Sequence, residues 1–212
     1  MKDVMNMIRE GRIIAIIRGI PSSHILDTVT ALHAGGIDCV EVTFNPDSEE
    51  ISRDTLVSIR KIKDHFGDRI AVGAGTVLSV ENVRDAAEAG AEFMISPNTD
   101  EAVIRETKRL GLISIPGAVT PTEIIQAHRL GGDIIKVFPA DTLGIGYIKA
   151  VRGPINHIPL TAVGGVNAAN AKSFIDAGCV GIGVGGSVVN KKLIMEGRYD
   201  EIERLAREYQ VR

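Results

Sequence analysis

One lysine and one glutamate lie inside apolar runs of the sequence, where charged side chains are rare. Lys136 lies in the segment DIIKVFPA and Glu41 lies in CVEVTF. Burying an ammonium group is costly unless the group is paired or loses its proton. A neutral lysine can attack a ketone and form a Schiff base, and a nearby carboxylate can move the protons that this chemistry requires. These two residues are therefore our candidate catalytic pair.

Further polar side chains fall in or at the ends of other apolar runs. Thr43 shares a face with Glu41, because side chains two positions apart on a strand point the same way. Arg18 ends the run IIAIIR and Thr76 ends AVGAGT. The planar guanidinium of Arg18 matches a carboxylate, and its charge would lower the pKa of a neighbouring lysine.

Each of these residues also has a structural explanation. Arg18 could simply emerge into solvent, and Thr76 could be an ordinary strand residue. Glu41 and Lys136 could form a buried ion pair, in which desolvation offsets most of the attraction. All four residues fall in or at the ends of apolar runs. If those runs are strands of one barrel, the four side chains share its interior, which favours the functional interpretation.

Two glycine pairs follow the last two apolar runs. AVGGVN contains Gly164 and Gly165, and GIGVGGS contains Gly185, Gly186 and Ser187. Glycines let backbone N–H groups approach an anion closely, and barrel phosphate sites often follow strands seven and eight. The glycines could instead serve tight turns, but two pairs in these two loops favour phosphate. A carboxylate beside a ketone at one end and a phosphate at the other describe a phosphorylated 2-keto acid.

Eight short apolar runs alternate with amphipathic segments and would position these residues. Most runs are continuous and β-branched, which is typical of strands covered on both faces. They begin at Ile13, Cys39, Ala71, Phe93, Leu112, Ile134, Leu160 and Val180. Helix-start signals occur at Ser22, Ser79 and Thr120. Eight βα units predict an α/β protein with one (β/α)₈ TIM-barrel domain over residues 1–212, and a doubly wound open sheet is the alternative.

The composition argues against several other classes of protein. Twenty-four basic and 27 acidic residues give a net charge of −3, which provides no global attraction to nucleic acid or to an anionic membrane. No apolar run is long enough to span a bilayer, and the first residues lack the apolar region of a signal peptide. Cys39 and Cys179 fall within or beside predicted strands, where we expect reduced core residues. We therefore expect a cytoplasmic protein.

The chain resembles the KHG/KDPG aldolase family through the motifs VEVT, VGAGTVL, ISPN, IPGAVTPTE, IKVFPA and AVGGV. The resemblance implies a class I aldolase on a (β/α)₈ barrel. Such an enzyme cleaves 2-keto-3-deoxy-6-phospho sugar acids, or 4-hydroxy-2-oxoglutarate, to pyruvate and an aldehyde. It further implies a cytoplasmic homotrimer that needs no metal or other cofactor, with small-molecule partners and neither nucleic acid nor membrane.

The resemblance also assigns roles to individual residues. It implies that Lys136 is the Schiff-base lysine and that Glu41 is the proton-transfer residue. The implied substrate-binding residues are Arg18, Thr43, Thr76, Pro97, Phe138 and Val163. The implied phosphate-binding residues are Gly164, Gly165, Gly185, Gly186 and Ser187.

Two positions depart from the phosphogluconate-type pattern. Asn45 stands where those members often carry an arginine, and Val163 stands where they often carry a threonine. RGI after the first strand, the asparagine after VEVTF, GIGYIKA and AVGGV are more similar to the 2-dehydro-3-deoxy-6-phosphogalactonate branch. In that branch the carboxylate-binding arginine matches Arg18. The stereochemistry of the substrate at C4 stays open at this point.

Two other functions fit part of the same pattern. A metal-independent sugar-phosphate isomerase or epimerase would share the glycine loops, but it would need no Schiff base. A non-catalytic phosphosugar-binding regulator would also explain the loops, but it would not explain Lys136 beside Glu41. The five histidines form no metal-ligand pattern, so we expect activity that does not require a metal.

Overall fold

The computed structural model describes residues 3–209 and is a barrel of parallel strands surrounded by helices. Every strand pairing is parallel, and the order around the sheet is β5-β4-β3-β2-β1-β9-β8-β7-β6. The strands are β1 Ile13–Ile17, β2 Cys39–Thr43, β3 Ala71–Gly75, β4 Phe93–Ile95, β5 Ile113–Ile115, β6 Gly117–Ala118, β7 Ile135–Val137, β8 Leu160–Val163 and β9 Gly181–Val184. The predicted barrel is confirmed.

The fifth predicted strand is divided at Pro116 into β5 and β6. Proline has no backbone N–H and cannot donate to a sheet ladder, so the strand is interrupted there. Its carbonyl still accepts a hydrogen bond of 2.8 Å from the backbone N–H of Lys136. Because β5 pairs with β4 while β6 pairs with β7, this divided strand closes the barrel. The eight predicted strand positions are therefore occupied by nine strands.

Helices follow the strands around the outside of the barrel. Within residues 3–209 they are α1 Val4–Gly11, α2 Ile25–Ala34, α3 Glu49–Phe66, α4 Val80–Glu88, α5 Glu101–Arg109, α6 Pro121–Arg129, α7 Ala140–Arg152, α8 Ala171–Asp176, α9 Lys191–Met195 and α10 Tyr199–Arg207, with a 3₁₀ turn at Gly67–Arg69. Ser79 and Thr120 cap α4 and α6 as predicted. The prediction for Ser22 was wrong, because its backbone N–H donates to the Asp54 carboxylate and α2 begins three residues later.

The interior of the barrel is filled by apolar side chains at the end where the strands begin. Ile14, Phe93 and Ile115 belong to one buried cluster that also contains Ile8 of α1, so this helix covers that end. The Phe93 ring lies where a side chain at Gly73 would stand, since a Cβ there would be 2.2 Å from the ring. The packed end leaves the opposite end, where the strands finish, for a site.

The sequence also predicts reduced core cysteines and no membrane-spanning segment. Cys39 and Cys179 are both buried, as expected, and both carry a reduced thiol. Burial raises the pKa of the Cys179 thiol to about 12, so this thiol is inert at neutral pH. Across residues 3–209, no helix combines the length and the apolar character needed to cross a membrane.

Candidate active site

Lys136 lies in the middle of β7, inside the barrel. Its neighbours in the sheet are Gly117 on β6 and Thr161 on β8. The residue is only 7% exposed, and its Nζ lies 5.0 Å from the centre of the Phe138 ring. Phe138 follows β7 and is 39% exposed, so it stands at the mouth of the barrel. The sequence therefore placed Lys136 correctly in a buried strand.

Glu41 lies in the middle of β2 and is 2% exposed. Its carboxyl group occupies space that the neighbouring strand leaves open at Gly75. A Cβ built at Gly75 would lie 1.6 Å from Oε1 of Glu41, far inside van der Waals contact. A glycine at this position is therefore a steric requirement for the observed position of the Glu41 carboxyl group.

The electrostatics of the barrel favour the uncharged form of both residues. Burial is the largest influence on each, lowering the pKa of Lys136 and raising the pKa of Glu41. The charge of Arg18 lowers both pKa values, while the two residues partly stabilise each other's charged form. Their mutual influence is purely coulombic, without a hydrogen bond between them. This arrangement differs from the closed structural ion pair that the sequence left open.

Arg18 and Thr76 lie together just beyond the ends of β1 and β3. Both were expected to end their strands, but each stands one residue past the last strand residue. The Arg18 Nη2 donates a hydrogen bond of 3.3 Å to Oγ1 of Thr76. Thr76 has a φ of +55°, in the left-handed region that β-branched residues rarely adopt. Such strained backbone is concentrated at functional sites in proteins.

These side chains line one cavity of about 610 Å³ at the end of the barrel where the strands finish. Its lining residues are Ile16, Arg18, Glu41, Thr76, Pro97, Lys136, Phe138, Val163, Gly164, Gly165, Val166, Asn167, Gly183, Gly185, Gly186 and Ser187. Thr43 is not among them. It is 2% exposed, and its carbonyl oxygen accepts a hydrogen bond from Thr55 of α3. All the other predicted site residues meet at this cavity.

The first glycine pair forms a turn that only glycine adopts readily. Gly164 and Gly165 have φ values of +97° and +67°. A Cβ at Gly165 would lie 2.0 Å from the Asp141 carboxyl group, so the loop after β8 packs closely against the start of α7. This steric demand is a structural reason for the pair, independent of any ligand.

The second glycine pair has no such structural reason. Gly185 and Gly186 do not have positive φ values, and a Cβ built at either would meet nothing within 4 Å. The fold therefore does not require glycine at these two positions. Small residues beside open space are the expected arrangement where a ligand approaches the backbone closely.

Backbone donors in both loops are available to an anion. Within residues 3–209, no acceptor partners the N–H groups of Gly165, Val166, Gly186 or Ser187. Successive backbone N–H groups in a turn form a concave site for anions. Among residues 3–209, the two cationic side chains that line the cavity are Arg18, one residue past β1, and Lys136 of β7.

Four lining residues were not singled out from the sequence. Ile16 and Gly183 lie two positions before Arg18 and Gly185, so the period of two along a strand was the signal that could have identified them. Val166 and Asn167 follow the first glycine pair. The Asn167 side chain donates to the carbonyl of Gly165 and accepts from the backbone of Ala169, which braces the loop.

The side chains that could bind a metal ion are scattered over the described chain. No group of three or more histidine, cysteine, aspartate or glutamate side chains between residues 3 and 209 could hold a metal ion. The carboxylate in the cavity, Glu41, is therefore not part of a recognisable donor set.

Comparisons with known proteins agree on one family. The model for "Aldolase: KDPG and KHG aldolase" matches residues 4–205. The 2-dehydro-3-deoxy-6-phosphogalactonate aldolase of Escherichia coli strain K12 is 39% identical over 175 residues, which cover 82% of each chain. The 2-dehydro-3-deoxy-phosphogluconate aldolase of Haemophilus influenzae is 30% identical over 209 residues, covering 98% of this chain and 95% of that protein.

A solved structure is similar over nearly the whole chain. The KDPG aldolase from Legionella pneumophila, with pyruvate captured at low pH as a covalent carbinolamine intermediate, superposes with a TM-score of 0.86. It is 25% identical, and the match covers 97% of each chain. The fold and the sequence comparisons therefore point to the same group of proteins.

Proposed function

The chain belongs to the KDPG and KHG aldolase family, and we propose that it cleaves a 2-keto-3-deoxy-6-phospho sugar acid through a Schiff base on Lys136. The products are pyruvate and glyceraldehyde 3-phosphate. One observation carries the proposal: a buried lysine and a buried glutamate face one cavity without pairing directly. The family assignment favours neither the isomerase nor the non-catalytic regulator that the sequence alone left open.

Lys136 would act as the nucleophile. Its neutral amine adds to C2 of the substrate, and loss of water from the resulting carbinolamine gives an iminium ion. The iminium then accepts the electron pair of the breaking C3–C4 bond, so the aldehyde leaves and an enamine remains. The depressed pKa of Lys136, caused mainly by burial, supports the first step because it increases the fraction of free amine at neutral pH.

Glu41 would move the protons. It returns a proton to the departing oxygen of the carbinolamine and removes the proton of the C4 hydroxyl as the C3–C4 bond breaks. It then protonates C3 of the enamine, and water hydrolyses the new iminium to release pyruvate. The elevated pKa of Glu41, again caused mainly by burial, supports this role because it makes the carboxylate a stronger base and increases the fraction of the carboxyl group that carries a proton at neutral pH.

The substrate carboxylate would lie at Arg18. Asn45, which replaces an arginine of some relatives, does not line the cavity. Its side chain accepts a hydrogen bond from the backbone of Asp47. Arg18 is thus the one guanidinium among residues 3–209 that lines the cavity. The hydrogen bond to Thr76 holds the Nη2 nitrogen of Arg18 near the mouth of the barrel.

Arg18→Lys tests this assignment because it keeps the charge and removes the planar fork. A lysine cannot make the bidentate contact that a guanidinium makes with a carboxylate. We expect kcat/KM to fall by on the order of ten- to a hundred-fold. Reductive trapping of pyruvate should weaken in step, because pyruvate retains the carboxylate. If trapping stayed at the parent level while inhibition by an unreactive sugar phosphate was lost, Arg18 would belong to the phosphate end instead.

The phosphate would lie at the two glycine loops. Four backbone N–H groups support this placement, because they have no acceptor within residues 3–209: those of Gly165, Val166, Gly186 and Ser187. The open space at Gly185 and Gly186 supports it as well. The proposed phosphate-binding residues are Gly164, Gly165, Gly185, Gly186 and Ser187. Ser187 would contribute its backbone N–H, since its hydroxyl donates to the carbonyl of Val166.

Galactonate-type substrates are the first candidates. Val163 lines the cavity with an apolar side chain where a threonine of some relatives would offer a hydroxyl. The similarity to the phosphogalactonate aldolase supports the same choice. Pro97 and Phe138 would complete the walls around the reacting carbons, and Thr76 would contact the pyruvyl part. Comparing kcat/KM for the two C4 epimers tests this preference.

We expect cleavage to survive removal of metal. The iminium supplies the electron sink that a metal ion would otherwise provide. The measurement is pyruvate release from the phosphorylated substrate before and after dialysis against EDTA, with a coupled assay whose own enzyme tolerates EDTA. Loss of activity that added zinc restores would refute the Schiff-base mechanism.

Three further features rest on family membership. We propose that residues 1–212 act as one aldolase domain, that the enzyme is a homotrimer, and that it works in the cytoplasm. Its partners would be the phosphorylated 2-keto acid and pyruvate, rather than nucleic acid or a membrane. The mass of the purified protein by light scattering checks the oligomer.

A further inference from the structure

A buried tyrosine near the C-terminus contacts the loop after β9. Tyr209 is 7% exposed, and its hydroxyl donates a hydrogen bond of 2.7 Å to Oγ of Ser187. The two residues are 22 positions apart in the sequence. Neither the apolar pattern nor the family motifs quoted above include this tyrosine.

The contact continues into the other glycine loop. The Ser187 Oγ donates in turn to the carbonyl of Val166, at 3.2 Å. Tyr209, Ser187 and Val166 therefore form a chain of hydrogen bonds that joins the loop after β9 to the loop after β8. Because the tyrosine occupies an acceptor site of the serine oxygen, it favours the rotamer in which the serine proton points to the second loop.

The tyrosine is held in place by the helix that precedes it. Ile202 and Ala206 of α10 are buried, and α10 packs so closely on the end of α2 that a Cβ at Gly35 would lie 2.3 Å from the Ala206 Cβ. The hydroxyl is thus presented by a packed element rather than by a free tail. Burial also raises the pKa of the Tyr209 phenol, which keeps the hydroxyl protonated and able to donate.

We propose that Tyr209 is a positioning residue for the phosphate end of the site. Through Ser187 it holds the backbone N–H groups of the two glycine loops in the arrangement that binds the phosphate of the substrate. The inference rests on the proposed function, because it assumes that these loops bind phosphate. Loops fixed before binding lose less entropy when the ligand arrives, so affinity rises without any direct contact from the tyrosine.

Tyr209→Phe tests the inference because it removes the hydroxyl and keeps the ring. We expect KM for the phosphorylated substrate to rise by about 3- to 10-fold, the scale of one lost hydrogen bond, with kcat within about 2-fold of the parent. Inhibition by an unreactive phosphate ester, such as glycerol 3-phosphate, should weaken by the same factor. Reductive trapping of pyruvate, which has no phosphate, should be unchanged.

A double-mutant cycle with Ser187→Ala separates positioning from a merely structural role. If the tyrosine acts through the serine, Tyr209→Phe should have little further effect on KM in the Ser187→Ala background. The matched control is Tyr199→Phe at the start of α10, the helix that precedes Tyr209, because the Tyr199 hydroxyl contacts Nδ1 of His24 at 2.8 Å instead of a glycine loop. That control should leave KM and phosphate-ester inhibition at the parent values.

The possible results test the role of Tyr209 separately from the proposed phosphate site. Equal losses by Tyr209→Phe in phosphate-ester inhibition and in pyruvate trapping, or unchanged KM with a folded variant, would overturn the role of Tyr209. A parent enzyme that neither prefers phosphorylated substrate nor is inhibited by the ester would overturn the proposed phosphate site itself, and the inference with it. Full additivity of the two substitutions would show that the tyrosine does not act through Ser187.

Discussion

Lys136→Ala should lower the rate of pyruvate release by at least about a thousand-fold, the scale of losing a covalent nucleophile. The methyl group cannot form the carbinolamine, so neither the iminium nor the electron sink can arise. Lys136→Arg should be equally inactive, because the guanidinium stays protonated at any accessible pH. The measurement is a coupled assay of pyruvate release from the phosphorylated 2-keto acid, with circular dichroism to confirm folding.

Lys149→Ala is the matched control for this substitution. Lys149 is the next lysine in the sequence after Lys136, and it lies exposed on α7 outside the cavity lining. Its replacement should leave kcat/KM within about 2-fold of the parent, as is usual for a surface change without a special role. Retained turnover in Lys136→Ala, or a comparable loss in Lys149→Ala, would show that the lysine of β7 is not the nucleophile.

Glu41→Gln should separate bond formation from turnover. Glutamine matches glutamate in shape but cannot transfer the protons, so we expect kcat to fall by about a hundred- to ten-thousand-fold. Pyruvate trapping at Lys136 should become slower, because Glu41 also protonates the departing oxygen of the carbinolamine, but it should still reach completion on long incubation. The Glu41 carboxylate raises the pKa of Lys136, so its removal lowers that pKa further and leaves more free amine. The acid limb of the trapping rate should therefore move to lower pH.

Glu106→Gln provides a contrast at another buried glutamate. Arg109 and Arg84 donate hydrogen bonds that lower the pKa of the Glu106 carboxyl group to about 2. All three residues lie on helices away from the cavity. This substitution should change the free energy of unfolding and leave kcat near the parent value. If Glu41→Gln instead kept its turnover, Glu41 would not be the proton-transfer residue.

The catalytic pair could be predicted because the two charges interrupt apolar strands. In IIKVFP and CVEVTF a charged residue has no solvent-facing side to occupy, so Lys136 and Glu41 stand out against the pattern. The glycine pairs were visible for a similar reason, as turn residues following the last two strands. These signals are local, and each depends only on residues within a few positions of one another.

Features that depend on contacts between distant segments could not be predicted in the same way. Gly75 must lack a side chain because the carboxyl group of Glu41, 34 positions earlier, lies over it, and this follows only from the register of β2 against β3. The period of two along a strand predicts that Thr43 lies on the same face as Glu41. It could not show that the Thr43 side chain is buried instead of lining the cavity. Tyr209 reaches Ser187 only because α10 packs against α2.

The most direct test of the Schiff-base assignment is to identify the residue that binds pyruvate. The enzyme is incubated with pyruvate, reduced with borohydride, digested and mapped by mass spectrometry. We expect one reduced pyruvyl group per chain, on the peptide that contains Lys136, and none in Lys136→Ala. An adduct on Lys149, or an active parent enzyme that forms no adduct, would contradict it.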